Sequence, residues 1–268
     1  MSNQKIVLIL IDGMRPDGLL QANAPVMKRL MANGARSMSA RTVLPSLTLP
    51  CICSLMYGVS PQVHGTLTNT FASTGWKTPG LIDLLHTVGY KTASFTNWEQ
   101  LRDISRPGSL DVSLCINTSE SHNLPIGESD GVLTMLSLLA LRHQPADFIF
   151  LYLGGVDTSG HMHGWMSPEY ITAIESADRC VELFLAELPR TTTVFITADH
   201  GGFGHLHGFD SDEEMTIPLI IARADLHPGE ISAPVSILDI APTIAACAGA
   251  TPPPQWEGKP LFFKSQSS

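Results

Sequence analysis

Five short apolar runs, rich in Val, Ile, Leu, Phe and Thr, stand out along the chain, and they show little alternation with polar residues. Continuous runs of this kind are typical of strands that are buried on both faces, as in parallel sheets covered by helices. The pattern predicts strands at residues 5–11, 91–96, 147–153, 193–198 and 217–222.

Between these runs, apolar residues recur at the spacing of amphipathic helices. Helices are predicted at residues 24–33, 49–57, 80–88, 130–143, 167–188 and 236–247. The alternation of strand and helix indicates a doubly wound α/β architecture. A chain of 268 residues, 44% of them apolar, can form one large core, so we predict a single domain over residues 1–268. The polar, Ser-rich stretch 97–128 is expected to form a small cap or a substrate loop.

Charge and composition narrow the classes of partner. The net charge of −9 and the lack of a basic cluster argue against a nucleic-acid polymer, because nothing would neutralise its phosphates. No apolar run approaches the roughly 20 residues that cross a bilayer, so no membrane association is expected. The five cysteines are odd in number and scattered, which favours a reducing, cytoplasmic location over a disulfide framework.

Residues with metal-binding or nucleophilic side chains recur at the ends of the apolar runs or just after them. A residue that follows a parallel strand lies at the sheet edge where open α/β folds build their sites. The set contains three Asp, three His and one hydroxyl, which is enough to hold two divalent cations with the hydroxyl between them. Its members are Asp12, Thr48, Asp157, His161, Asp199, His200 and His207.

Thr48 precedes an apolar helical segment, and Pro50 suits the first turn of that helix, so Thr48 is predicted at or next to the N-cap. Free N–H groups and the positive end of the helix dipole would then face an anion that Thr48 attacks. A threonine hydroxyl is a poor nucleophile unless a base or a metal activates it. Ser46 is a second candidate hydroxyl in the same loop, and the alternative role for Thr48 is an ordinary helix cap.

Two pairs of neighbouring residues are the strongest candidate ligands. Asp157 and His161 form a D-x-x-x-H pattern whose spacing lets both side chains reach one cation, although His163 could take the place of His161. Asp199 and His200 directly follow a predicted strand, so their side chains can point to opposite sides and bind two different cations. A buried Asp-His pair at a strand end needs partners, which favours a functional role.

Two further positions leave alternatives open. Asp12 ends the first strand and is followed by Gly13, so it is either a metal ligand or a turn cap. In the segment GHLHG, His205 and His207 are both candidates for the last ligand.

The order and spacing of these residues resemble the nucleotide pyrophosphatase/phosphodiesterase family of the alkaline phosphatase superfamily. The resemblance extends over residues 5–261 and is carried by six short motifs in chain order. They are Asp12 at the end of the first strand, Thr48-Leu49-Pro50, His64-Gly65-Thr66-Leu67-Thr68-Asn69, Asp157-Thr158-Ser159-Gly160-His161, Asp199-His200-Gly201 and His207-Gly208.

The resemblance implies an alkaline-phosphatase-like α/β fold, with a largely parallel central sheet and helices on both faces. Because the chain is short for the family, we expect a minimal cap domain or none. The resemblance also implies that Thr48 is the nucleophile, and that Asn69 and the backbone N–H after Thr48 donate to the phosphoryl oxygens. The placement of the last motif favours His207 over His205.

Two divalent cations are implied as cofactors, with zinc the best fit to mixed nitrogen and oxygen ligands and manganese also suitable. The first cation would be held by Asp157, His161 and His207. The second would be held by Asp12, Asp199, His200 and the Thr48 hydroxyl.

The implied function is a two-metal hydrolase that acts on a small-molecule phosphate ester through a phospho-threonine intermediate. It would cleave phosphodiester, phosphonate or pyrophosphate bonds. The alternatives are a phosphomonoesterase, a phosphonoacetate-type hydrolase, a phosphomutase and a non-catalytic metal-binding protein. A sulfatase is disfavoured because the segment from Thr48 to Ile52 lacks the Arg of the sulfatase C/S-x-P-x-R motif.

Overall fold

The computed structural model describes residues 4–70, 78–116 and 128–261. Within these ranges a single eight-stranded mixed sheet runs through the centre of the protein. In chain order the strands are β1 (Ile6–Ile11), β2 (Ala35–Arg41), β3 (Thr92–Thr96), β4 (Val112–Cys115), β5 (Phe148–Leu153), β6 (Thr193–Thr197), β7 (Thr216–Ala222) and β8 (Gly229–Glu230).

The strands lie in the order β4-β3-β5-β1-β6-β7-β2-β8. β1 is central and pairs in parallel with β5 and β6, so that Ile6 lies opposite both Phe148 and Thr193. β7 is antiparallel to both of its neighbours. Every residue of β1 and β5 is buried, as their continuous apolar sequences predict. The carboxyl ends of β1, β5 and β6 therefore meet at one edge of the sheet.

The described helices are α1 (Pro16–Gln21), α2 (Pro25–Asn33), α3 (Thr48–Tyr57), α4 (Pro61–His64), α5 (Leu81–Thr87), α6 (Glu128–His143), α7 (Gly155–His163), α8 (Pro168–Ala186), α9 (Asp212–Met215) and α10 (Ile240–Cys247). They form two packed groups. In one group α1, α2, α6 and α7 contact α8, and in the other α3 contacts α4, α5 and α10. Among these helices none is long and apolar enough to cross a membrane.

All five predicted strands are confirmed, as β1, β3, β5, β6 and β7, and all six predicted helices are present as α2, α3, α5, α6, α8 and α10. The apolar pattern does not predict β2, whose sequence ARSMSAR is largely polar and only partly buried. It also does not predict α7, because Gly155 and Gly160 disfavour a helix on propensity alone.

Part of the stretch 97–128 belongs to the main sheet and does not form a cap or loop. Residues Val112–Cys115 form β4, which pairs with β3 at the edge of the main sheet. Residues 117–127 lie outside the described part of the chain, so the prediction of a small cap or substrate loop there is not tested. The single-domain assignment also stays a prediction.

Candidate active site

The predicted site residues come together at the edge of the sheet where β1, β5 and β6 end. Asp12 directly follows β1, and Asp199 and His200 lie just beyond β6. The turn after β5 leads straight into α7, whose first turn contains Asp157. Thr48, the first residue of α3, completes the group. Parallel pairing thus joins segments that are far apart in the sequence.

Asp157, His161 and His207 form the first of two tight ligand groups. Asp157 and His161 lie one turn apart on α7, and His161 Nε2 is 3.5 Å from Asp157 Oδ2. His207 Nε2 lies 3.7 Å from Asp157 Oδ1 and 3.1 Å from His161 Nε2. The three ligand atoms lie within 4.8 Å of one another, which is compact enough for one shared cation.

Asp12, Asp157 and His200 form the second group. His200 Nε2 lies 3.3 Å from Asp12 Oδ1 and 3.4 Å from Asp199 Oδ2. Asp157 therefore takes part in both groups, and Asp199 adjoins the second through His200. The structure brings all six predicted ligands together, while the assignment of each residue to one cation stays a prediction.

Each of the three site imidazoles is oriented by a backbone carbonyl. The Nδ1 atoms of His161, His200 and His207 each lie 2.8 Å from a carbonyl oxygen, those of His205, Gly201 and Ser46 respectively. Because a carbonyl can only accept, each Nδ1 carries a proton, and Nε2 is the ring atom that each imidazole can offer to a cation.

Several of the converging ligand atoms have no hydrogen-bond donor, and the group fits a divalent cation. The Nε2 atoms of His161 and His207 lie 3.1 Å apart, so one cation beside them could be bound by both rings. Within the described residues, buried carboxylate oxygens of Asp12, Asp157 and Asp199 also have no hydrogen-bond partner. Unpaired acceptors at this density are costly in a folded protein, and metal coordination satisfies them.

The pKa shifts of the clustered side chains also support cation binding. Burial raises the pKa of the Asp12 carboxyl well above its usual value, and the nearby carboxylates of Asp199 and Asp157 raise it further. Burial also raises the pKa of Asp157. Burial lowers the pKa of His207 to about 2, and neighbouring His200 adds to this effect. Bound cations would stabilise the ionised carboxylates of this buried cluster.

Thr48 is the hydroxyl that faces the cluster. It is buried, and its Oγ1 lies 3.1 Å from His200 Nε2. Ser46, the competing candidate, is held elsewhere: its hydroxyl lies 2.7 Å from the carbonyl oxygen of Phe209 and 3.2 Å from the carboxylate of Glu214. The geometry therefore favours Thr48 as the reactive residue.

Asn69 lies beside the start of α3, with its amide fixed by the helix. The N–H of Leu49 donates to Asn69 Oδ1 at 3.0 Å. In this structure the N–H is engaged by Asn69, and its expected donation to a phosphoryl oxygen stays a prediction. The bond leaves the amide NH₂ of Asn69 as the donor.

His64 braces the loop that carries Asn69. Its Nδ1 accepts from the N–H of Thr66 at 3.1 Å, and its Nε2 lies 3.0 Å from the Ser54 hydroxyl. Burial lowers the pKa of His64 to about 4, so the ring is neutral. His64 thus connects α3 to the Asn69 loop.

The sequence did not point to two aromatic neighbours of the cluster. The hydroxyl of Tyr152, in β5, donates to Asp12 Oδ2. Trp165 packs edge-on against the rings of both His161 and His207. Tyr152 is the one residue of β5 with a polar group on its side chain, and this is the feature of the sequence that could have identified it.

Comparison with known proteins places the chain in a family. The model of the type I phosphodiesterase / nucleotide pyrophosphatase family matches residues 6–216. Mouse ectonucleotide pyrophosphatase/phosphodiesterase family member 1 is 27% identical over 218 residues, which cover 73% of this chain. That alignment spans 24% of the mouse protein, so the chain matches about a quarter of its relative's length.

Solved structures show the same fold. Murine ectonucleotide pyrophosphatase / phosphodiesterase 5, in an inactive form in complex with AMP, superposes with a TM-score of 0.77 at 14% identity, covering 94% of this chain and 96% of that one. A 2-O glycosaminoglycan sulfatase superposes with a TM-score of 0.75 at 18% identity, covering 97% of this chain and 73% of that one. The predicted alkaline-phosphatase-like fold is confirmed, and the chain belongs to the type I phosphodiesterase/nucleotide pyrophosphatase family within the alkaline phosphatase superfamily.

Proposed function

We propose that the protein is a two-metal hydrolase that cleaves phosphodiester bonds through a phospho-threonine intermediate. The observation that carries this proposal is the Thr48 hydroxyl, which lies 3.1 Å from His200 Nε2 inside a cluster of carboxylates and imidazole lone pairs. Membership of a family of phosphodiesterases and nucleotide pyrophosphatases supports the same reaction class. The AMP bound to the murine neighbour supports a small phosphate ester as the substrate.

The cation ligands are proposed to be Asp12, Asp157, His161, Asp199, His200 and His207, with Thr48 beside them. Two zinc ions fit this mixed oxygen and nitrogen set best, and manganese is the second choice. When bound, such cations lower the pKa of a coordinated hydroxyl or water and neutralise charge on the phosphoryl group.

Thr48 and Asn69 have different roles in the proposed reaction. The Thr48 hydroxyl loses its proton to solvent, and its Oγ1 forms a bond to phosphorus as the bond to the leaving alcohol breaks. The alcohol leaves with a proton from solvent. Asn69 donates its NH₂ to a non-bridging oxygen as negative charge develops there. The amino end of α3 faces the same anion with the positive end of its dipole. Water then cleaves the bond between Thr48 and phosphorus and restores the hydroxyl.

The scarcity of positive charge favours a monoanionic substrate. Lys and Arg are absent from residues 42–76, 143–178 and 191–222, which supply all the site residues except Asp12. Arg15, the nearest arginine in sequence to Asp12, is paired with Asp17 at 2.6 Å. Dianionic monoesters are usually met by an additional Arg or cation. A phosphodiester or a phosphonate monoester therefore suits this site better than a phosphomonoester.

Sulfate-ester hydrolysis is the competing reaction that the fold alone would allow. The superposed sulfatase establishes only a common architecture at 18% identity. Thr48 stands in place of the sulfatase nucleophile, and no Arg occurs between Thr48 and Ile52. These residues favour phosphoryl transfer.

A substrate panel tests the proposal. Purified protein supplied with zinc or manganese would be assayed with a chromogenic phosphodiester, phosphomonoester, phosphonate monoester and sulfate ester. We expect the diester or the phosphonate monoester to be preferred, and Thr48→Ala to lose this activity because it removes the attacking oxygen. Thr172→Ala, which alters an exposed hydroxyl on α8, is the matched control. Near-normal turnover by Thr48→Ala would contradict the nucleophile assignment.

A further inference from the structure

Two buried polar side chains outside the ligand cluster hold the start of α7. Asn97 directly follows β3, and Asp130 lies in the first turn of α6. Asn97 is 5% exposed and Asp130 is 1% exposed, so neither interacts freely with solvent. Buried groups of this kind persist when they have specific hydrogen-bond partners.

The two side chains share one hydrogen-bond network with the helix start. Asn97 Nδ2 donates to Asp130 Oδ1 at 2.7 Å. Asn97 Oδ1 accepts from the N–H of Gly154 at 3.2 Å, and Asp130 Oδ2 accepts from the N–H of Gly155 at 3.1 Å. Gly154 is the N-cap residue of α7 and has no side chain with which to cap it. The cap is therefore supplied by β3 and α6.

The glycine at the cap allows this close approach. A Cβ at Gly154 would lie 3.2 Å from Asn97 Oδ1 and 3.3 Å from the ring of Tyr152, which are tight contacts.

The charge of Asp130 also suits this position. Burial raises the pKa of the Asp130 carboxyl to about 6, while the hydrogen bonds donated by Asn97 and Gly155 lower it. Because Asp130 accepts from the N–H of Gly155, its carboxylate faces the positive end of the α7 dipole.

The helix fixed in this way carries two metal-ligand candidates. Asp157 lies in the first turn of α7, next to the capped end, and His161 lies one turn later. Asp157 belongs to both ligand groups, so a small shift of α7 would change its distance to His207 on one side and to Asp12 and His200 on the other.

We infer that Asn97 and Asp130 are positioning residues for the metal site, which act by capping α7 so that Asp157 and His161 are held in place for cation binding. This inference rests on the proposed two-metal function. Asn97 and Asp130 lie outside both ligand groups, at the end of β3 and the start of α6.

Metal affinity separates this role from simple helix stabilisation. Full-length protein would be stripped of metal, and its zinc affinity measured by competition with a chromophoric chelator. We expect Asp130→Asn and Asn97→Ala to weaken zinc binding about 10–100-fold, the range for losing groups that orient ligands. Saturating zinc should restore much of the diesterase activity, because Thr48 and all six ligands are intact.

A second buried aspartate provides the control. Asp178 also caps a helix through two N–H groups, those of Val26 at 3.1 Å and Met27 at 2.7 Å, but that helix is α2 and carries no proposed ligand. Asp178→Asn should lower the melting temperature of the metal-free protein and leave zinc affinity unchanged.

The outcomes are distinct. Unchanged zinc affinity in Asp130→Asn, with a lower melting temperature like that of Asp178→Asn, would overturn the inference. If Asp130→Asn does not fold, Asn97→Ala decides in the same way. Failure of the wild-type protein to bind zinc would instead contradict the proposed function.

Discussion

At the scale of single residues, the site brings together more hydrogen-bond acceptors than the described donors satisfy. Backbone carbonyls fix the Nδ1 atoms of His161, His200 and His207, so the Nε2 atoms are directed towards the buried carboxylates. The ligands could be predicted from the sequence because each follows an apolar run or a glycine turn. Tyr152 and Asp130 could not, because their partners are distant in sequence and only the fold brings them together.

Asp12→Asn tests whether the site carries an unrelieved charge. Burial raises the pKa of Asp12 in the folded state, so the folded protein holds a proton that the unfolded chain has released. The stability of the metal-free protein should therefore fall as the pH rises from the unfolded pKa of Asp through the higher folded value. Asn removes this charge, and we expect it to stabilise the metal-free protein at neutral pH by about 1–3 kcal/mol while weakening zinc binding at the second ligand group.

Urea unfolding of the metal-free proteins at mildly acidic and neutral pH measures this effect. The advantage of Asp12→Asn over wild type should grow with pH. Asp212→Asn is the control, since the Asp212 side chain is 90% exposed. A loss of stability in Asp12→Asn that is the same at every pH would show that the Asp12 carboxylate is not strained by burial.

At the scale of elements, two loops that are far apart in the sequence are joined by hydrogen bonds beside Thr48. The Ser46 carbonyl holds His207, and the Ser46 hydroxyl accepts from the N–H of Gly208 at 3.1 Å. Glu214, in α9, is buried and accepts from the N–H of Phe209. The long apolar elements could be predicted from sequence, whereas α9 and α7 are short or glycine-rich and depend on such tertiary contacts.

Glu214→Gln tests this connection between the loops. Glu214 Oε2 contacts both the Ser46 hydroxyl and the Phe209 N–H. The substitution replaces this charged oxygen by a neutral amide, whose oxygen is a weaker acceptor and whose NH₂ cannot accept at all. We expect His207 to be held less firmly and turnover to fall about tenfold or more, with weaker zinc affinity. Glu213→Gln, its exposed neighbour on α9, is the matched control. Equal kinetics and metal affinity in the two variants would contradict a role for Glu214 in placing His207.

At the scale of the whole molecule, the parallel centre of the sheet explains why one edge collects the chemistry. β5, β1 and β6 are adjacent and parallel, so the residues after their carboxyl ends converge although they are distant in sequence. The apolar runs predicted these three strands, whereas their order in the sheet was not predicted. The pattern does not predict β2 and β8 at the far edge, since partly exposed strands lack a continuous apolar sequence.

The most direct test of the account is the stereochemical course at phosphorus. A phosphorothioate diester that is chiral at phosphorus would be hydrolysed in heavy-oxygen water, and the configuration of the product determined. Attack by Thr48 followed by attack by water inverts the configuration twice, so the account predicts net retention. Net inversion would show that water attacks the substrate directly, and it would contradict the phospho-threonine mechanism.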